Sequence, residues 1–181
     1  GLSLLVALRL AIPLAIISAT RQYSLFDYTV TTAAFIGYAL PSFWLGLILI
    51  LVFSLQLRWF PAGGMETLGA PFSLQDRLRH LVLPVFTVAF ASTGFYTRYV
   101  RSAMLEVKSQ DYIRTANAKG LAERVILYKH AFKNAALPLI TVIALHAPQI
   151  FTGAVVIETI FSWPGMGRLY WESATRFDYP V

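Results

Sequence analysis

The run from Tyr28 to Leu57 restricts the fold of this chain more than any other feature, because it contains no charged residue. It is longer than the roughly 20 mostly apolar residues that a helix needs to cross the hydrocarbon core of a bilayer. A soluble domain carries about 25% charged residues, whereas this chain carries 13% charged and 57% hydrophobic residues. The composition is therefore that of an integral membrane protein.

Three further apolar runs are candidates for membrane spans, and each is expected to be a helix. Lipid offers the backbone no hydrogen-bond partner, so a span must form its own hydrogen bonds. We therefore predict an all-α, polytopic transmembrane bundle over 1–181, read as a single domain from the middle of a longer subunit. Its transmembrane helices are predicted at about 1–20, 28–57, 81–97 and 134–157. The connecting segments are a loop at 98–133 on one side, and 58–80 and 158–181 on the other.

Basic residues are concentrated in 98–133, and this sets the predicted orientation. The segment holds eight of the fifteen Lys and Arg residues against three acids, a local net charge of 8 − 3 = +5. Short cytoplasmic loops of membrane proteins carry an excess of Lys and Arg. The segment is therefore predicted to be cytoplasmic and the segments 58–80 and 158–181 external. The overall charge of +6 is interpreted as a topology signal, not as a nucleic-acid footprint.

The middle of this loop reads as two helices joined at a glycine. Ser109 or Asp111 is a candidate cap for the first helix, and Gly120 is expected to end it, because glycine adopts the left-handed conformation without steric cost. A second helix is predicted from Leu121 to about Asn134. Its apolar residues recur at helical spacing and predict one apolar stripe: Leu121, Val125, Tyr128 and Phe132. The residues alone leave open a helix pair in the lipid interface, a solvated linker, or an element presented to a cytosolic partner.

The stretch YIRTANAKGLAERVILYKHAFKNAALPLI, at 112–140, resembles the coupling loop of ABC-importer permeases, whose signature reads Glu-Ala-Ala-x-x-x-Gly. Arg114, Thr115 and Ala116 stand at the Glu-Ala-Ala positions, and Gly120 stands at the glycine. The chain is most similar to the dipeptide/oligopeptide/nickel importer family, in the branch that carries Arg-Thr-Ala. Further matches follow in order along the chain: LPSFWLGL at 40–47, LRHLVLP at 78–84, VIETIFSWPGMGRL at 156–169 and DYPV at 178–181.

The resemblance implies the fold of a type I ABC-importer permease in the cell inner membrane, with coupling helices on the cytoplasmic side. The expected function is half of the translocation pathway of an ATP-driven, binding-protein-dependent importer of peptides or similar small solutes. The implied partners are a homologous second permease, two ATP-binding cassette ATPase subunits, an extracytoplasmic solute-binding protein and the lipid bilayer, with no nucleic acid. The residues implied to couple to the ATPase are Asp111, Arg114, Thr115, Ala116, Lys119, Gly120 and Leu121. Since Arg114 replaces the signature glutamate, any ion pair at this position requires an acidic partner.

The chain is not expected to be an enzyme. It has no phosphate-binding loop of the G-x-x-x-x-G-K-[ST] type, no metalloprotease motif and no cysteine. ATP and Mg²⁺ are therefore expected on the partner ATPase subunits, with no catalytic residue, metal or cofactor on this chain. The alternative interpretation is a channel or secondary carrier whose basic loop only lies on the membrane surface.

Arg9, His146 and Glu158 are the candidates for a substrate path. Arg9 lies twelve residues from Arg21, roughly 18 Å along a helix at about 1.5 Å per residue, where an unpaired charge in a bilayer is costly. It is predicted to meet either a substrate carboxylate or a neighbouring acid. His146 lies in a predicted span, where a helix–helix hydrogen bond and a path role are both open. Glu158 ends the fourth predicted span, before a short surface helix predicted at about 167–177.

Overall fold

The computed structural model describes the backbone of residues 1–152 and 155–177, with side chains for 1–146 and 155–177. The DYPV motif at 178–181 and residues 153–154 of the fourth predicted span lie outside the described residues. All regular structure in the described residues is helical. In chain order the helices are α1 Leu2–Thr20, α2 Leu25–Ala39, α3 Ser42–Leu49, the π-helix π1 Ile50–Gln56, α4 Leu74–Lys108, α5 Asp111–Ala118, α6 Glu123–Val125, the π-helix π2 Ile126–Phe132, α7 Lys133–Thr152, α8 Val155–Ile160 and α9 Met166–Thr175.

The uncharged run at 28–57 does not form the single helix that its composition predicted. α2 ends at Ala39, Pro41 takes the N-cap position with φ −59° and ψ 126°, and α3 begins at Ser42. A proline disfavours the helical conformation of the residue before it and is well suited to the start of a helix. The prediction of one continuous helix over 28–57 was therefore wrong at Leu40–Pro41.

Two described helices are long and apolar enough to cross a membrane, α1 and α4, and the broken pair of α2 with α3 and π1 makes a third if it is one span. α4 extends well beyond the predicted 81–97 at both ends, because its terminal turns are polar and an apolar window misses them. α7 covers most of the predicted 134–157. The assignment of these helices to a membrane stays a prediction.

The described chain divides into two compact units. The single domain over 1–181 stays a prediction. Among the described residues, the first comprises 1–3, 40–90, 146–152 and 155–177. In this unit α3 contacts α8, and a buried cluster forms around Phe161, which is 1% exposed, with Leu49, Leu83 and Ile157. The amide of Gly64 donates to the carbonyl of Phe161 at 2.8 Å, which ties the loop after π1 to the same cluster.

The second unit comprises 4–39 and 91–145. Its helix α1 buries a row of alanines spaced four residues apart, and all four are fully buried: Ala7, Ala11, Ala15 and Ala19. Small residues at this spacing let helix backbones approach closely. α2 and α4 also approach closely, since a Cβ on Gly94 would lie 2.6 Å from the carbonyl oxygen of Ala34. Gly94 is therefore required by helix packing.

Candidate functional site

The helix α5, which carries the predicted coupling residues, begins at Asp111 after Gln110 in the N-cap position. The predicted cap was wrong, because neither Ser109 nor Asp111 caps the helix. The Ser109 hydroxyl instead donates to the carbonyl of Glu106 at 2.7 Å. Asp111 lies in the first turn of α5, where its negative charge interacts favourably with the positive end of the helix dipole. Its exposed carboxylate lies 3.5 Å from the Arg114 guanidinium, a surface pair that adds little stability.

The end of α5 confirms the predicted glycine corner. Gly120 has φ +70°, a conformation that other residues adopt only at a steric cost. Its amide donates to the carbonyl of Asn117 at 2.9 Å, and the Leu121 amide donates to the carbonyl of Ala116 at 3.4 Å. These two bonds form the Schellman motif that ends many helices. No atom lies within 4 Å of a Cβ added to Gly120, so glycine is required here by its backbone conformation alone.

The inner face of α5 holds the helix against the protein. Ile113 and Ala116 are 4% and 5% exposed, and α5 contacts π2. Residues three apart lie on the same side of a helix, so these two side chains form one anchor. α5 is therefore fixed both by its buried face and by the glycine corner at its end.

The outer face of α5 is solvent-exposed and mostly polar. The predicted coupling residues other than Ala116 are all exposed: Asp111, Arg114, Thr115, Lys119, Gly120 and Leu121. The Thr115 hydroxyl donates to the carbonyl of Asp111 at 3.0 Å, so this hydroxyl has its hydrogen-bond acceptor within the helix. The surface of α5 and its C-cap therefore presents two cations and one carboxylate, Arg114, Lys119 and Asp111.

The second helix of the loop differs from its predicted form. It begins at Glu123 with Ala122 at the N-cap, and it continues through π2 into α7 instead of ending near Asn134. In a π-helix the hydrogen bonds run from i to i+5, so a pattern counted with α-helical spacing drifts out of register. The buried residues follow this change, five apart in π2 at Ile126 and Ala131, then four apart at Ala135 and Leu139.

Three of the four residues of the predicted apolar stripe are exposed, and the fourth, Phe132, is half-buried. Leu121, Val125 and Tyr128 are 40%, 39% and 52% exposed. Val125 and Tyr128 line a shallow groove together with Ala122, Arg124 and Lys129. The segment thus offers an apolar strip flanked by cations, as expected of an amphipathic helix.

The three candidates for a substrate path lie in separate elements, and the structure does not bring them together in one described unit. Arg9 is exposed on α1 and makes no hydrogen bond or ion pair with the described residues. His146 is half-buried in α7. Glu158 is half-buried in α8, where its carboxylate accepts from the backbone amide of Arg168 at 2.8 Å.

The hydrogen bond from Arg168 to Glu158 stabilises the start of α9. The first amides of a helix have no partner within the helix, and a carboxylate there also favours the helix dipole. Gly165, the N-cap of α9, lies directly against this carboxylate. A Cβ added at Gly165 would overlap the carboxylate, so glycine leaves room for this contact. On α9, a hydrogen bond of 2.6 Å from Arg168 holds the pKa of the Glu172 carboxyl below its usual range.

Comparison with known proteins places these features in a family. Residues 11–181 match the family of binding-protein-dependent transport system inner membrane components. The chain belongs to this family. It is 52% identical to the oligopeptide transport system permease protein AppB of Bacillus subtilis over 99% of this chain and 57% of that protein. It is 41% identical to the di/tripeptide transport system permease protein DppB of Pseudomonas aeruginosa over 92% of this chain and 55% of that protein. With the dipeptide transport system permease protein DppB of Escherichia coli K12 the identity is 35%, over 99% of this chain and 59% of that protein.

Family membership confirms the resemblance read from the motifs and the prediction of an all-α membrane permease fold. The members of this family are inner membrane components of binding-protein-dependent transport systems. It spans 55–59% of the length of these relatives. Within the part of the chain that the structure describes, no group of three or more His, Asp or Glu residues is arranged to hold a metal ion.

Asp27 and Arg101 form a structural pair that was not predicted. Arg101 was counted only toward the positive charge of 98–133. In the structure the Arg101 guanidinium contacts the Asp27 carboxylate through two hydrogen bonds of 2.7 Å. No sequence pattern pairs these two residues, which are 74 positions apart.

Proposed function

We propose that this chain is the permease half of an ATP-driven, binding-protein-dependent importer, and that α5 with the Gly120 corner is its contact with the ATPase. The observation that carries the proposal is the anchored α5 helix at the positions of the family's coupling signature. Its inner face is fixed by Ile113 and Ala116, and its outer residues are free to bind a partner. A helix held in this way passes on a rigid-body displacement without bending.

The assembly comprises a homologous second permease, two ATPase subunits and an extracytoplasmic solute-binding protein. ATP and Mg²⁺ bind to the ATPase subunits. The segment 98–133 faces the cytoplasm, in accord with its excess of Lys and Arg. Arg114 and Lys119 are exposed on α5 and complement acidic residues on the ATPase, since opposite charges favour correct docking. The substrates are peptides, in keeping with the names of the relatives, which include oligopeptide, di/tripeptide and dipeptide permeases.

Cysteine cross-linking tests the contact, because the chain has no native cysteine. Thr115→Cys and Lys119→Cys on α5 are expected to cross-link to a nucleotide-hydrolysing subunit in native membranes, in yields that change when ATP is added. Leu68→Cys is the control, since Leu68 is 96% exposed in the predicted external segment and is expected to capture no ATPase. In inside-out vesicles, a membrane-impermeant maleimide is expected to label position 115 but not position 68.

The alternative function, a channel or secondary carrier, is favoured by one observation. The exposed strip of Val125 and Tyr128 beside Arg124 and Lys129 is typical of a helix that lies on a lipid surface. If positions 115 and 119 never capture an ATPase and uptake proceeds without ATP, this alternative replaces the importer.

We further propose that Arg9 faces the translocation path and contacts the carboxylate of the substrate. α1 buries its alanine row, and Arg9 lies on an exposed side with Leu5 and Leu10. A cation without a partner among the described residues is costly in an apolar span, and such groups are typical of transport paths. His146 and Glu158 stay predictions for the same path.

Arg9→Leu is expected to raise the KM for a free tripeptide about tenfold, the equivalent of losing one charge-assisted hydrogen bond of roughly 1.5 kcal/mol. The C-terminally amidated tripeptide lacks the carboxylate, so its KM is expected to stay unchanged. Uptake into proteoliposomes measures both, with Arg21→Leu at the end of α1 as the control. Equal effects on the two peptides, or no effect on either, contradict the proposed contact.

A further inference from the structure

A cluster of polar side chains joins the α1–α2 turn to α4 inside the second unit. Asp27, in the first turn of α2, is 3% exposed, and Ser18, in the last turn of α1, is fully buried. The Ser18 hydroxyl donates to the Asp27 carboxylate. The Arg101 Nε donates to Ser18 Oγ at 3.0 Å and to Asp27 Oδ1 at 2.7 Å, and its Nη2 donates to Asp27 Oδ2 at 2.7 Å. We name Ser18, Asp27 and Arg101 the turn clamp.

The turn clamp is braced on both sides. Within the turn, the Tyr23 amide donates to Asp27 Oδ2 at 2.9 Å. At the end of α4, the Lys108 ammonium donates to the carbonyl of Ala19 at 3.1 Å. A lysine in this position satisfies one of the last carbonyls of α1, which have no partner within the helix. The α1–α2 turn is therefore tied to α4 at two points, two turns apart along α4.

The geometry of the clamp resists sliding and rotation. A guanidinium that donates two parallel hydrogen bonds to one carboxylate fixes direction as well as distance. The Asp27 and Arg101 side chains are only 4% and 22% exposed, so water competes weakly for these bonds. The exposed Arg114–Asp111 pair on α5 has neither property, because its single contact is 3.5 Å long and both side chains are open to solvent.

The position of the clamp connects it to the candidate coupling surface. α4 ends at Lys108, and only Ser109 and Gln110 separate it from α5. The Ser109 hydroxyl donates to the carbonyl of Glu106, and this hydrogen bond joins the connection to the last turn of α4. A displacement of α5 is thus passed to the same end of α4 that holds the α1–α2 turn.

We propose that the turn clamp makes the α1–α2 turn and the end of α4 move as one body, so that movement of the coupling helix reaches α1 and α2. Asp27 and Arg101 are then positioning residues for the coupling of ATP hydrolysis to transport. This inference rests on the proposed importer function. Loss of the clamp separates the two activities: ATP hydrolysis continues while substrate movement per ATP falls.

The test compares variants in the complete transporter, reconstituted in proteoliposomes with its partner permease, ATPase subunits and binding protein. The readouts are the amount of assembled complex, the ATPase rate, and the uptake of a radiolabelled alanine tripeptide per ATP hydrolysed. Asp27→Ala/Arg101→Ala removes both charges together and leaves no lone buried charge, which is the main penalty when one partner of such a pair is lost. We expect this double variant to assemble, to hydrolyse ATP at a rate within about twofold of the wild type, and to carry about tenfold less tripeptide per ATP.

Two further variants make the result decisive. Arg101→Lys keeps the positive charge beside Asp27 but loses the planar two-point contact, so we expect normal assembly and about threefold less uptake per ATP. Glu66→Ala/Arg77→Ala removes an ion pair with a contact of 2.6 Å in the predicted external segment, and we expect no change in any readout.

The proposal is overturned if the Asp27→Ala/Arg101→Ala protein assembles and couples as the wild type does. If that protein does not assemble, Arg101→Lys decides, and normal uptake per ATP in this variant overturns the proposal. A wild-type protein that assembles with no ATPase, or transports without ATP, overturns the proposed function itself, and this inference with it. The wild-type sample thus distinguishes the two failures.

Discussion

Ala116→Asp is expected to release α5 from the protein and to reduce ATP-dependent uptake to below about one-tenth of the wild-type rate. Ala116 is 5% exposed on the face of α5 that contacts π2. Burying an unpaired carboxylate there costs several kcal/mol. The helix is therefore expected to detach from the protein, which exposes the carboxylate to water. Each 1.4 kcal/mol is a factor of about ten in the population of the released state, and we expect hydrogen exchange of the α5 amides to accelerate about a hundredfold.

Ala118→Asp is the matched control, because Ala118 lies on the same helix and is exposed. Both substitutions place a negative charge near the C-terminal end of the helix, at a cost of about 0.3–1 kcal/mol from the helix dipole. We therefore expect exchange in Ala118→Asp to accelerate no more than about fivefold. Similar exchange rates in the two variants contradict the assignment of Ala116 to a buried anchor.

Phe161→Ala is expected to destabilise the first unit by about 3–5 kcal/mol, the usual range for a buried phenylalanine. Its ring is 1% exposed in the cluster with Leu49, Leu83 and Ile157. The ring also lies against Gly46, where an added Cβ would be 3.2 Å from it.

Thermal unfolding of the purified protein in detergent measures this effect. A loss of 1 kcal/mol lowers Tm by about 2–4 °C in a protein of this size, so we expect Phe161→Ala to unfold about 6–20 °C below the wild type. Phe177→Ala is the control, since Phe177 is 74% exposed, and its Tm is expected to stay within about 2 °C. A Tm for Phe161→Ala in the same narrow range contradicts the assignment of Phe161 to a core.

Features set by one or a few neighbouring residues were predictable from the sequence. Gly120 is an example, because the left-handed conformation at a helix end depends on the absence of its own Cβ. The short helix after α8 is another, predicted at 167–177 and found at Met166–Thr175. The break at Pro41 was also visible, but the length of the uncharged run outweighed it, since prolines are tolerated within membrane helices. Pro13 and Pro84 do lie inside α1 and α4.

The surface of the second loop helix was not predictable in the same way. The residues Leu121, Val125 and Tyr128 have the spacing of an α-helical stripe, but the π-helical turn between Ile126 and Phe132 changes which side chains face inward. π-helices are rare in proteins, and no feature of this stretch of sequence predicted one. The proposed role of α5 rests on its buried residues Ile113 and Ala116 and on the contact of α5 with π2.

By itself, the sequence determined the helical class, the apolar segments, the glycine corner and the family, because each follows from local composition or local motif order. Only the tertiary structure decided which side of each helix is buried and which charges meet. Asp27 and Arg101 are 74 positions apart, and neither residue type nor spacing pairs them. Their contact depends on how α1, α2 and α4 pack, and packing of that kind is a property of the folded unit as a whole.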